Sequence, residues 1–361
     1  MYDIIVVGAG TAGSFLASRL ENKDILILEK NRKIPLRDSG IVSTEFKRFF
    51  QEGNLIEDEI NEMVARSHKH EFSLKSGNPY AYTLKRVKFA KYLRKKASKK
   101  TKIKYEFVKK VEYKKDKVRV LTDKGEHEAK MVIGADAAYS TVRRNAGIKD
   151  PEFFIGLMVR AKPKTDSKNI EVHFNKYYSP DFFSWVIPNK EYGLITAVRP
   201  NEYMKYFKES INLPDGAKYA YPIPMGHTKS FSNRTLLIGD ACGQVKPLSG
   251  GGIMFSLMAA LHAKRTIEEA FNKKRFDEKI LSSYENQWKN EFGKEIRNQL
   301  LFRKIYRKMS NKDIDSFFKD FGPGVEVINN FDYDFLSISA KKLPKTKLLK
   351  HIVTKLPLIF S

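Results

Sequence analysis

Residues 2–29, YDIIVVGAGTAGSFLASRLENKDILILE, decide the fold of this chain. The run YDIIVV at residues 2–7 is continuously apolar, as a buried parallel strand is, and a second apolar run at residues 25–28 follows a helix-forming stretch. Residues 8–13, GAGTAG, place the pattern G-x-G-x-x-G between the first strand and the helix. This order of strand, glycine turn, helix and strand predicts a βαβ unit that binds a dinucleotide.

Each residue type of this fingerprint has its own physical task. Gly8 permits a tight turn, Gly10 lets a pyrophosphate approach the backbone at the helix N-terminus, and Gly13 allows the helix to pack closely on the strand. Glu29, which ends the second strand, can accept hydrogen bonds from ribose hydroxyls. A ligand-free turn would also fit the glycines alone, but the strand, helix and terminal acid around them favour nucleotide binding.

A later segment is suited to the other end of a long dinucleotide. Gly239 and Asp240 follow an apolar strand pattern, and the glycine triplet at residues 250–252 opens a helical stretch. Asp240 can accept hydrogen bonds from sugar or ribityl hydroxyls, while the helix N-terminus faces a phosphate or a polar ring edge. The alternative for Asp240 is an ordinary helix N-cap or Asx-turn. Its position after the βαβ fingerprint favours the cofactor role.

These segments predict an α/β fold with a Rossmann-type cofactor-binding domain that is discontinuous in sequence and formed by residues 1–150 and 226–290. Residues 151–225 alternate apolar and polar side chains and contain several prolines, which predicts an inserted antiparallel sheet on the substrate side. Residues 291–361 are expected to form a helical, basic C-terminal region.

The length, net charge and cysteine count of the chain exclude several classes of protein. The chain has 361 residues, of which 42% are apolar, so it can fill the cores of two ordinary domains or of one large α/β unit with an inserted subdomain. Its 67 Lys and Arg residues against 42 Asp and Glu residues give a net charge of +25, which attracts nucleic acid, anionic lipid headgroups or phosphorylated substrates. The single cysteine, Cys242, excludes an internal disulfide, a Cys-x-x-Cys pair and a cysteine-ligated iron–sulfur cluster, and no metal site is predicted.

The charge pattern and the apolar runs also bear on partners and location. The basic stretch at residues 85–117 predicts a solvated helix and hairpin, since Phe89, Leu93 and Ala97 recur at helical spacing and leave the lysines outward. No aromatic platform or nucleic-acid module accompanies it, so no nucleic-acid partner is expected. No apolar run reaches the roughly 18 residues of a membrane span. We therefore expect a cytoplasmic protein that meets a membrane only from its surface.

Three motifs in this order resemble the FAD-binding landmarks of the para-hydroxybenzoate hydroxylase-like flavoprotein superfamily: the glycine fingerprint with its terminal acid, residues 134–143, and residues 239–252. Within that superfamily, residues 179–188, SPDFFSWVIP, resemble the aromatic-x-Trp-x-Phe-Pro signature of archaeal and plant geranylgeranyl reductases. The resemblance spans roughly residues 1–290.

The resemblance implies FAD as the cofactor and reduction of double bonds in the geranylgeranyl, or polyprenyl, chains of an archaeal ether lipid precursor. One alkene carbon would receive a hydride from reduced FAD and the other a proton, and an unidentified external electron donor would restore the flavin. Phe183 and Trp185 are the predicted walls of the lipid tunnel, although both also fit as core aromatics of a sheet. The residues implied to contact the cofactor are Gly8, Gly10, Ala12, Gly13, Glu29, Lys30, Ser39, Gly40, Arg86, Val108, Asp240, Gly252 and Ile253.

The sequence departs from the family pattern at three places. Ser39 stands where the reductases commonly carry a cysteine, Ala137 replaces the glycine of the middle motif, and Ile187 replaces the signature phenylalanine. A flavin-dependent monooxygenase or halogenase acting on a small aromatic substrate is the alternative, because residues 183–188 differ by one tryptophan from the Trp-x-Trp-x-Ile-Pro motif of the halogenases. No residue is predicted as the proton donor.

The last residues predict docking on an anionic membrane surface. After Asp334 the chain contains lysines but no acidic residue, and between Pro344 and Pro357 apolar side chains fall on one helix face and lysines on the other. A polyprenyl phospholipid would have to be extracted from a bilayer, and a basic amphipathic helix would hold the protein at the bilayer surface. The alternative is a final helix that packs its apolar face on the protein's own core.

Overall fold

The computed structural model describes residues 1–35, 38–164, 169–325 and 333–335. The predicted fold class is confirmed, because a Rossmann-type α/β part is joined to an antiparallel sheet and a helical C-terminal part.

The strands, in chain order, are β1 (Tyr2–Val7), β2 (Ile25–Leu28), β3 (Ile41–Ser43), β4 (Ile56–Ile60), β5 (Glu62–Arg66), β6 (Glu71–Lys75), β7 (Ala81–Leu84), β8 (Lys102–Lys104), β9 (Val108–Tyr113), β10 (Val118–Thr122), β11 (Glu126–Gly134), β12 (Glu152–Arg160), β13 (Ile170–His173), β14 (Ser184–Ile187), β15 (Glu191–Thr196), β16 (Ala217–Met225), β17 (Phe231–Ser232) and β18 (Thr235–Leu237). The α-helices are α1 (Thr11–Arg19), α2 (Phe46–Phe49), α3 (Arg86–Ser98), α4 (Thr141–Asn145), α5 (Pro200–Ser210), α6 (Ile253–Asn272), α7 (Glu278–Trp288), α8 (Lys294–Lys308) and α9 (Asn311–Val325).

The first sheet, with eight strands, carries the glycine fingerprint. Its main strand order is β17-β18-β11-β1-β2-β8, in which β1 runs parallel to both β2 and β11, and the hairpin of β9 and β10 extends it beside β11. Ile4 and Val6 pack into the apolar layer that holds α1, α3 and α6, whereas Ile5 and Val7 pack into the layer that holds β9 and β10. Strand β1 is therefore buried on both faces, which explains its unbroken apolar sequence.

Close backbone contacts at the end of β1 require glycine. Gly8 has a φ of +103°, and a Cβ at this position would lie 2.2 Å from the carbonyl oxygen of Ala135. A Cβ at Gly13 would lie 2.1 Å from the carbonyl oxygen of Gly8. Both distances are far inside van der Waals contact, so neither position accepts a side chain. The two glycines therefore let α1 and the turn after β11 converge on the end of β1.

The second sheet, with seven strands, has the order β16-β12-β15-β14-β13-β5-β6 and is antiparallel except where β13 pairs with β5. Residues 151–225, the predicted insertion, supply β12 to β16. Residues 62–75 supply β5 and β6, because Met63 in β5 pairs with Ile170 in β13. No sequence pattern indicates that this earlier segment pairs with residues 151–225, and the domain limits stay a prediction.

The two faces of the second sheet have different neighbours. Leu157, Val186 and Leu194 pack with Phe207 of α5 on one face. Trp185 and other apolar residues of the same strands pack on the opposite face, where the cavity described below lies. Since successive side chains of a strand point to opposite faces, the sequence alternation of β12, β14 and β15 sorts these residues into the two layers.

The remaining elements complete the molecule. Strands β3, β7 and β4 form a small antiparallel sheet. Helices α6 to α9 form the helical C-terminal part, and a π-helical turn at Lys289–Gly293 joins α7 to α8. The predicted amphipathic segment between Pro344 and Pro357 lies outside the described residues. None of the described helices is both long enough and apolar enough to cross a membrane.

A buried ion pair ties residues 333–335 to the glycine-rich segment before α6. Lys246 Nζ lies 2.8 Å from the carboxylate of Asp334, and the two residues are only 3% and 1% exposed. The Ser43 hydroxyl donates a second hydrogen bond to this carboxylate. Lys246 also packs on the ring of Tyr333, 4.0 Å from its centroid. Both charges are removed from water, so the attraction between them must offset the free-energy cost of that desolvation.

Replacing Asp334 by Asn should lower the free energy of unfolding by about 3 kcal/mol, since it leaves the Lys246 ammonium buried without a counter-ion. Denaturation by urea, followed by circular dichroism, measures the change. Glu45→Gln is the matched control, because Glu45 pairs with Arg48 on the exposed surface and its loss should leave the unfolding midpoint where it is. Equal midpoints for both variants would contradict a stabilising role of the buried pair.

Candidate active site

A single cavity of about 750 Å³ joins the two sheets. Its lining includes the loops that follow β1, β2, β11 and β18, where the carboxyl ends of the parallel strands meet. It also includes the open face of the second sheet. In open α/β sheets, ligands bind outside the carboxyl ends of the strands. The cavity therefore combines a nucleotide-binding edge with the surface of the inserted sheet.

The predicted cofactor residues gather along this cavity. Those that line it are Gly8, Gly10, Ala12, Glu29, Lys30, Ser39, Gly40, Arg86, Val108, Asp240, Gly252 and Ile253. Gly13 does not line it, because it is covered by Gly8, Ala135 and Val6 in the contact between α1 and β1. Its task is therefore the helix packing that the sequence also predicts for it.

The start of α1 has the form of a phosphate site. Gly10 is exposed towards the cavity side, and a Cβ built on it would meet nothing within 4 Å. No side chain caps the helix at this position. The first amide groups of a helix carry partial positive charge and need acceptors, so a pyrophosphate suits this end.

Glu29 organises the loop beside the phosphate site. Its carboxylate accepts hydrogen bonds from the backbone N–H groups of Ala9 at 2.8 Å and Asn31 at 2.9 Å. Arg94 lies 3.4 Å from the same carboxylate and donates to the carbonyl oxygen of Ala9 at 3.1 Å. A carboxylate has further lone pairs, so Glu29 can still accept from a ribose hydroxyl. Arg94 was missed in the sequence, although its spacing of two helical turns after Arg86 was a usable signal.

Arg86 is the first residue of α3, and only part of its guanidinium group has hydrogen-bond partners among the described residues. Its Nε and one Nη donate to the carboxylate of Asp38 at 2.5 and 2.8 Å. The other Nη is buried and has no hydrogen-bond partner among the described residues. A buried guanidinium N–H without an acceptor is costly, and a phosphate oxygen would satisfy it. The arrangement fits the phosphate role that the resemblance implies for Arg86.

The segment around Asp240 lies at the other end of the cofactor site. Asp240 belongs to a 3₁₀ turn, Gly239–Cys242, and a Cβ built on Gly252 would lie 2.9 Å from its Oδ1. Neither this turn nor α6 is capped by a side chain, so Asp240 does not serve as the N-cap of either. Its carboxylate faces the cavity beside the start of α6, where it can hold a hydroxyl group of the cofactor.

In the middle motif, residues 134–143, the alanine that replaces glycine has a strained backbone conformation. Ala137 has a φ of +66°, in the left-handed region that glycine adopts without strain. The preceding Asp136 accepts hydrogen bonds from the Ser140 hydroxyl at 2.5 Å and the Val142 N–H at 3.1 Å, which holds the turn at the start of α4. Alanine carries about 1 kcal/mol of strain in this conformation, and the hydrogen bonds of Asp136 keep it there.

The far end of the cavity is an apolar channel. Phe183 and Trp185 both line it, as predicted for substrate walls. Trp185 is also a buried sheet residue, 8% exposed, whose ring lies over Gly193; a Cβ on Gly193 would lie 2.3 Å from that ring. Trp185 is thus both a buried residue of the sheet and part of the cavity lining. Other apolar side chains that line the channel are Ile60, Met63, Ala65, Phe72, Leu74, Ile170, Val172, Phe174, Phe182, Ile223 and Leu248.

Within the described part of the chain, no group of three or more His, Cys, Asp and Glu side chains could hold a metal ion. Cys242 is buried, and burial raises the pKa of its thiol well above the ordinary value. A buried neutral thiol is a poor nucleophile. The charged groups that line the cavity lie at its nucleotide end, and the channel is formed mainly by apolar and aromatic side chains.

Comparisons with known proteins agree with this site. Residues 1–209 match the FAD binding domain family. The digeranylgeranylglycerophospholipid reductase of Methanocaldococcus jannaschii is 26% identical, with 99% of this chain and 96% of the relative covered. That of Methanococcus vannielii is 28% identical, with 97% of each chain covered. These matches confirm FAD as the cofactor and the resemblance to the geranylgeranyl reductases.

Solved structures with the same fold include a geranylgeranyl bacteriochlorophyll reductase-like protein from Thermoplasma acidophilum, with a TM-score of 0.84 at 21% identity, covering 99% of this chain and 97% of that one. The flavin-dependent brominase Bmp2 has a TM-score of 0.67 at 17% identity, covering 89% of this chain and 93% of that one. At these identities the two structures establish the fold and leave the reaction open.

Replacing Gly10 by Ala should weaken FAD binding by at least about tenfold while leaving stability unchanged. The new methyl group meets no protein atom, so it projects into the space that the pyrophosphate needs. A titration of the apoprotein with FAD, followed by flavin fluorescence, measures the dissociation constant.

Gly77→Ala is the matched control, since a Cβ there also meets nothing within 4 Å and Gly77 lies outside the cavity lining. FAD affinity equal to wild type in the Gly10 variant would contradict the placement of the pyrophosphate.

Proposed function

The chain belongs to the FAD binding domain family and is a flavin-dependent oxidoreductase; on that premise we propose that it saturates double bonds in the geranylgeranyl chains of an archaeal-type ether lipid precursor. The observation that carries the proposal is the continuity of the cavity, which runs without a break from the phosphate site to the apolar channel at Trp185. The relatives named digeranylgeranylglycerophospholipid reductase support the same substrate class.

The channel suits a polyprenyl chain for a simple physical reason. Isoprenoid chains have no hydrogen-bonding groups, so their binding energy comes from apolar area removed from water, at about 25 cal/mol per Å². The walls are supplied by alternate residues of β5, β6 and β13 on one sheet face, together with Phe183 and Trp185. They exclude water from the place where an isolated alkene would lie.

When bound, reduced FAD supplies the hydride for the reduction of the alkene. The α1 N-terminus, Glu29 and Arg86 would hold the nucleotide, and Asp240 and Gly252 would contact the flavin end of the cofactor. The apolar walls then fix the position of the double bond beside that end. Such positioning is the main contribution that a protein makes to a cofactor reaction.

An external electron donor must restore the reduced cofactor, since Cys242 is the chain's only cysteine and no internal disulfide can serve as a store. Docking on an anionic membrane surface is part of the proposal because the substrate is a bilayer lipid and the chain carries a net charge of +25. The cytoplasmic location and the C-terminal helix predicted for this docking also stay proposals.

Under anaerobic conditions, the holoenzyme reduced with dithionite should add two hydrogen atoms to each double bond that it saturates in a digeranylgeranyl phospholipid. Lipid mass spectrometry before and after incubation measures the product. The control is the oxidised holoenzyme, which should leave the lipid unchanged. Activity that requires oxygen and hydroxylates or halogenates a small aromatic compound would instead establish the monooxygenase or halogenase alternative.

Replacing Trp185 by Ala should lower kcat/KM for the lipid by about tenfold or more with little change in bound FAD, because Trp185 forms the wall of the channel. Val186→Ala is the matched control, since Val186 is the next residue of β14, is fully buried, and faces the layer of α5. It should lower stability and leave lipid turnover intact. Equal loss of turnover in both variants would mean that Trp185 acts only through the core.

A further inference from the structure

The far part of the apolar channel lies over three neighbouring strands of the second sheet, β13, β5 and β6. Ile170, Val172 and Phe174 all line the cavity, because alternate residues of an extended chain point to the same face. Ile170 packs in the same apolar cluster as Ile41, the residue after Gly40 of the predicted cofactor site. At about 3.3 Å per residue, Phe174 lies about 13 Å further along the chain than Ile170. The channel therefore extends from the cofactor site towards Phe174.

Two phenylalanine rings that line this end of the channel contact the same ring of α9. The backbone N–H of Phe174 donates to the carbonyl oxygen of Arg66 at 2.7 Å, so the pairing with β5 continues one residue beyond β13. Phe72 lies on β6, where it pairs with Ala65 of β5. Phe72 and Phe174 both line the cavity, and their ring centroids lie 4.9 and 5.6 Å from that of Phe318. One ring of α9 thus supports both lining residues.

The residues behind these two rings are buried and form a second layer. Phe318 and Tyr306 are each 6% exposed and are not part of the cavity lining. The ring of Tyr306 lies 6.0 Å from that of Phe174, and its hydroxyl donates to the carbonyl oxygen of Ser179 at 3.1 Å. Protein interiors are close-packed, so a chain in the channel cannot pass between these rings. Two layers of aromatic side chains therefore close this end of the channel.

Helix α9 is fixed on the hairpin that carries Phe72. Asp315 accepts hydrogen bonds from the Ser67 hydroxyl at 2.6 Å and the Lys69 N–H at 2.9 Å, both in the turn between β5 and β6. Gly322 lies one turn after Phe318, and a Cβ built on it would lie 3.2 Å from the ring of Phe72. The helix thus packs directly on this ring. Phe72 cannot move away from the channel unless α9 moves as well.

We propose that Phe72 and Phe174 determine which length of isoprenoid chain the channel accepts, an inference that rests on the proposed function. The charged groups that line the cavity lie at its nucleotide end, so the apolar tail of the lipid fits against these rings and a headgroup does not. A chain that reaches the rings buries all of its apolar surface. A longer chain must leave part of that surface outside the channel or move its double bond away from the flavin.

Binding of saturated primary alcohols of increasing length tests this end of the channel without turnover. The oxidised holoenzyme is titrated with alcohols from octanol to hexadecanol, and calorimetry measures each dissociation constant. Each added methylene group that is buried should tighten binding by about fourfold. The gain should stop at the length at which the alcohol meets Phe72 and Phe174, so a plot of affinity against length should show a break.

Changes of side-chain volume at the end of the channel should move this break in opposite directions. Phe174→Ala removes one ring and should move the break to longer alcohols by about two methylene groups, since neighbouring residues refill part of the space. Ala65→Leu adds volume to the lining beside Phe72 and should move the break to shorter alcohols. A general loss of stability does not produce shifts of opposite sign.

Phe207→Ala is the matched control for the loss of a ring. Phe207 is fully buried in α5 and packs on the face of the second sheet that is opposite to the channel. Its replacement should lower the free energy of unfolding and leave the break at the wild-type length.

Turnover gives the second readout. Without oxygen, the reduced holoenzyme is compared on phospholipids that carry geranylgeranyl chains and on phospholipids that carry the longer farnesylgeranyl chains. The wild type should have the lower kcat/KM for the longer chains. Phe174→Ala should raise the ratio of the longer to the shorter substrate by about tenfold or more, because the added isoprene unit finds space at the end of the channel. Bound FAD should stay at the wild-type level.

The outcomes separate the two claims. A wild-type enzyme that leaves both lipids unsaturated refutes the proposed function, while the break in the alcohol series still tests the end of the channel. A break at one length in the wild type, Phe174→Ala and Ala65→Leu refutes the role of these rings, even if the lipids are saturated. Wild-type affinity that increases through the whole series without a break also refutes it.

Discussion

The contact between Gly8 and the backbone of Ala135 is the constraint on which the rest of the site depends. It brings the ends of β1 and β11 together so closely that a Cβ would lie 2.2 Å from a carbonyl oxygen. This approach leaves the N-terminus of α1 and the turn of β11 on the same edge of the sheet. The phosphate site and the cavity both open from that edge, so a side chain at Gly8 would displace every later element of the cofactor site.

The second sheet adds an apolar face to this nucleotide site, and the proposed long apolar substrate would bind against it. Its strands expose alternate side chains to the cavity, which makes one continuous apolar face from Met63 to Trp185. The buried pair of Lys246 and Asp334 holds residues 333–335 in place, and Tyr333 of this segment lines the same cavity.

Much of the site could be predicted from the sequence because its signals are local. Gly10 and Glu29 have neighbours within one βαβ unit, so their spacing is informative, whereas the contact of Gly8 with Ala135 joins distant parts of the sequence. The parts that were missed depend on distant contacts: β5 joins β13 across the fold, and Asp334 meets Ser43 over 291 residues of sequence. No local pattern carries such information.

In the proposed function, FAD and the lipid share one cavity, and the channel ends at the flavin. An anaerobic titration of the oxidised holoenzyme with a digeranylgeranyl phospholipid, followed by the visible absorption of the flavin, tests it most directly. We expect a saturable change in the flavin spectrum at one lipid per protein, because the apolar chain would displace water from the flavin end of the cavity. Lipid that binds with the same stoichiometry and leaves the flavin spectrum unchanged would contradict it.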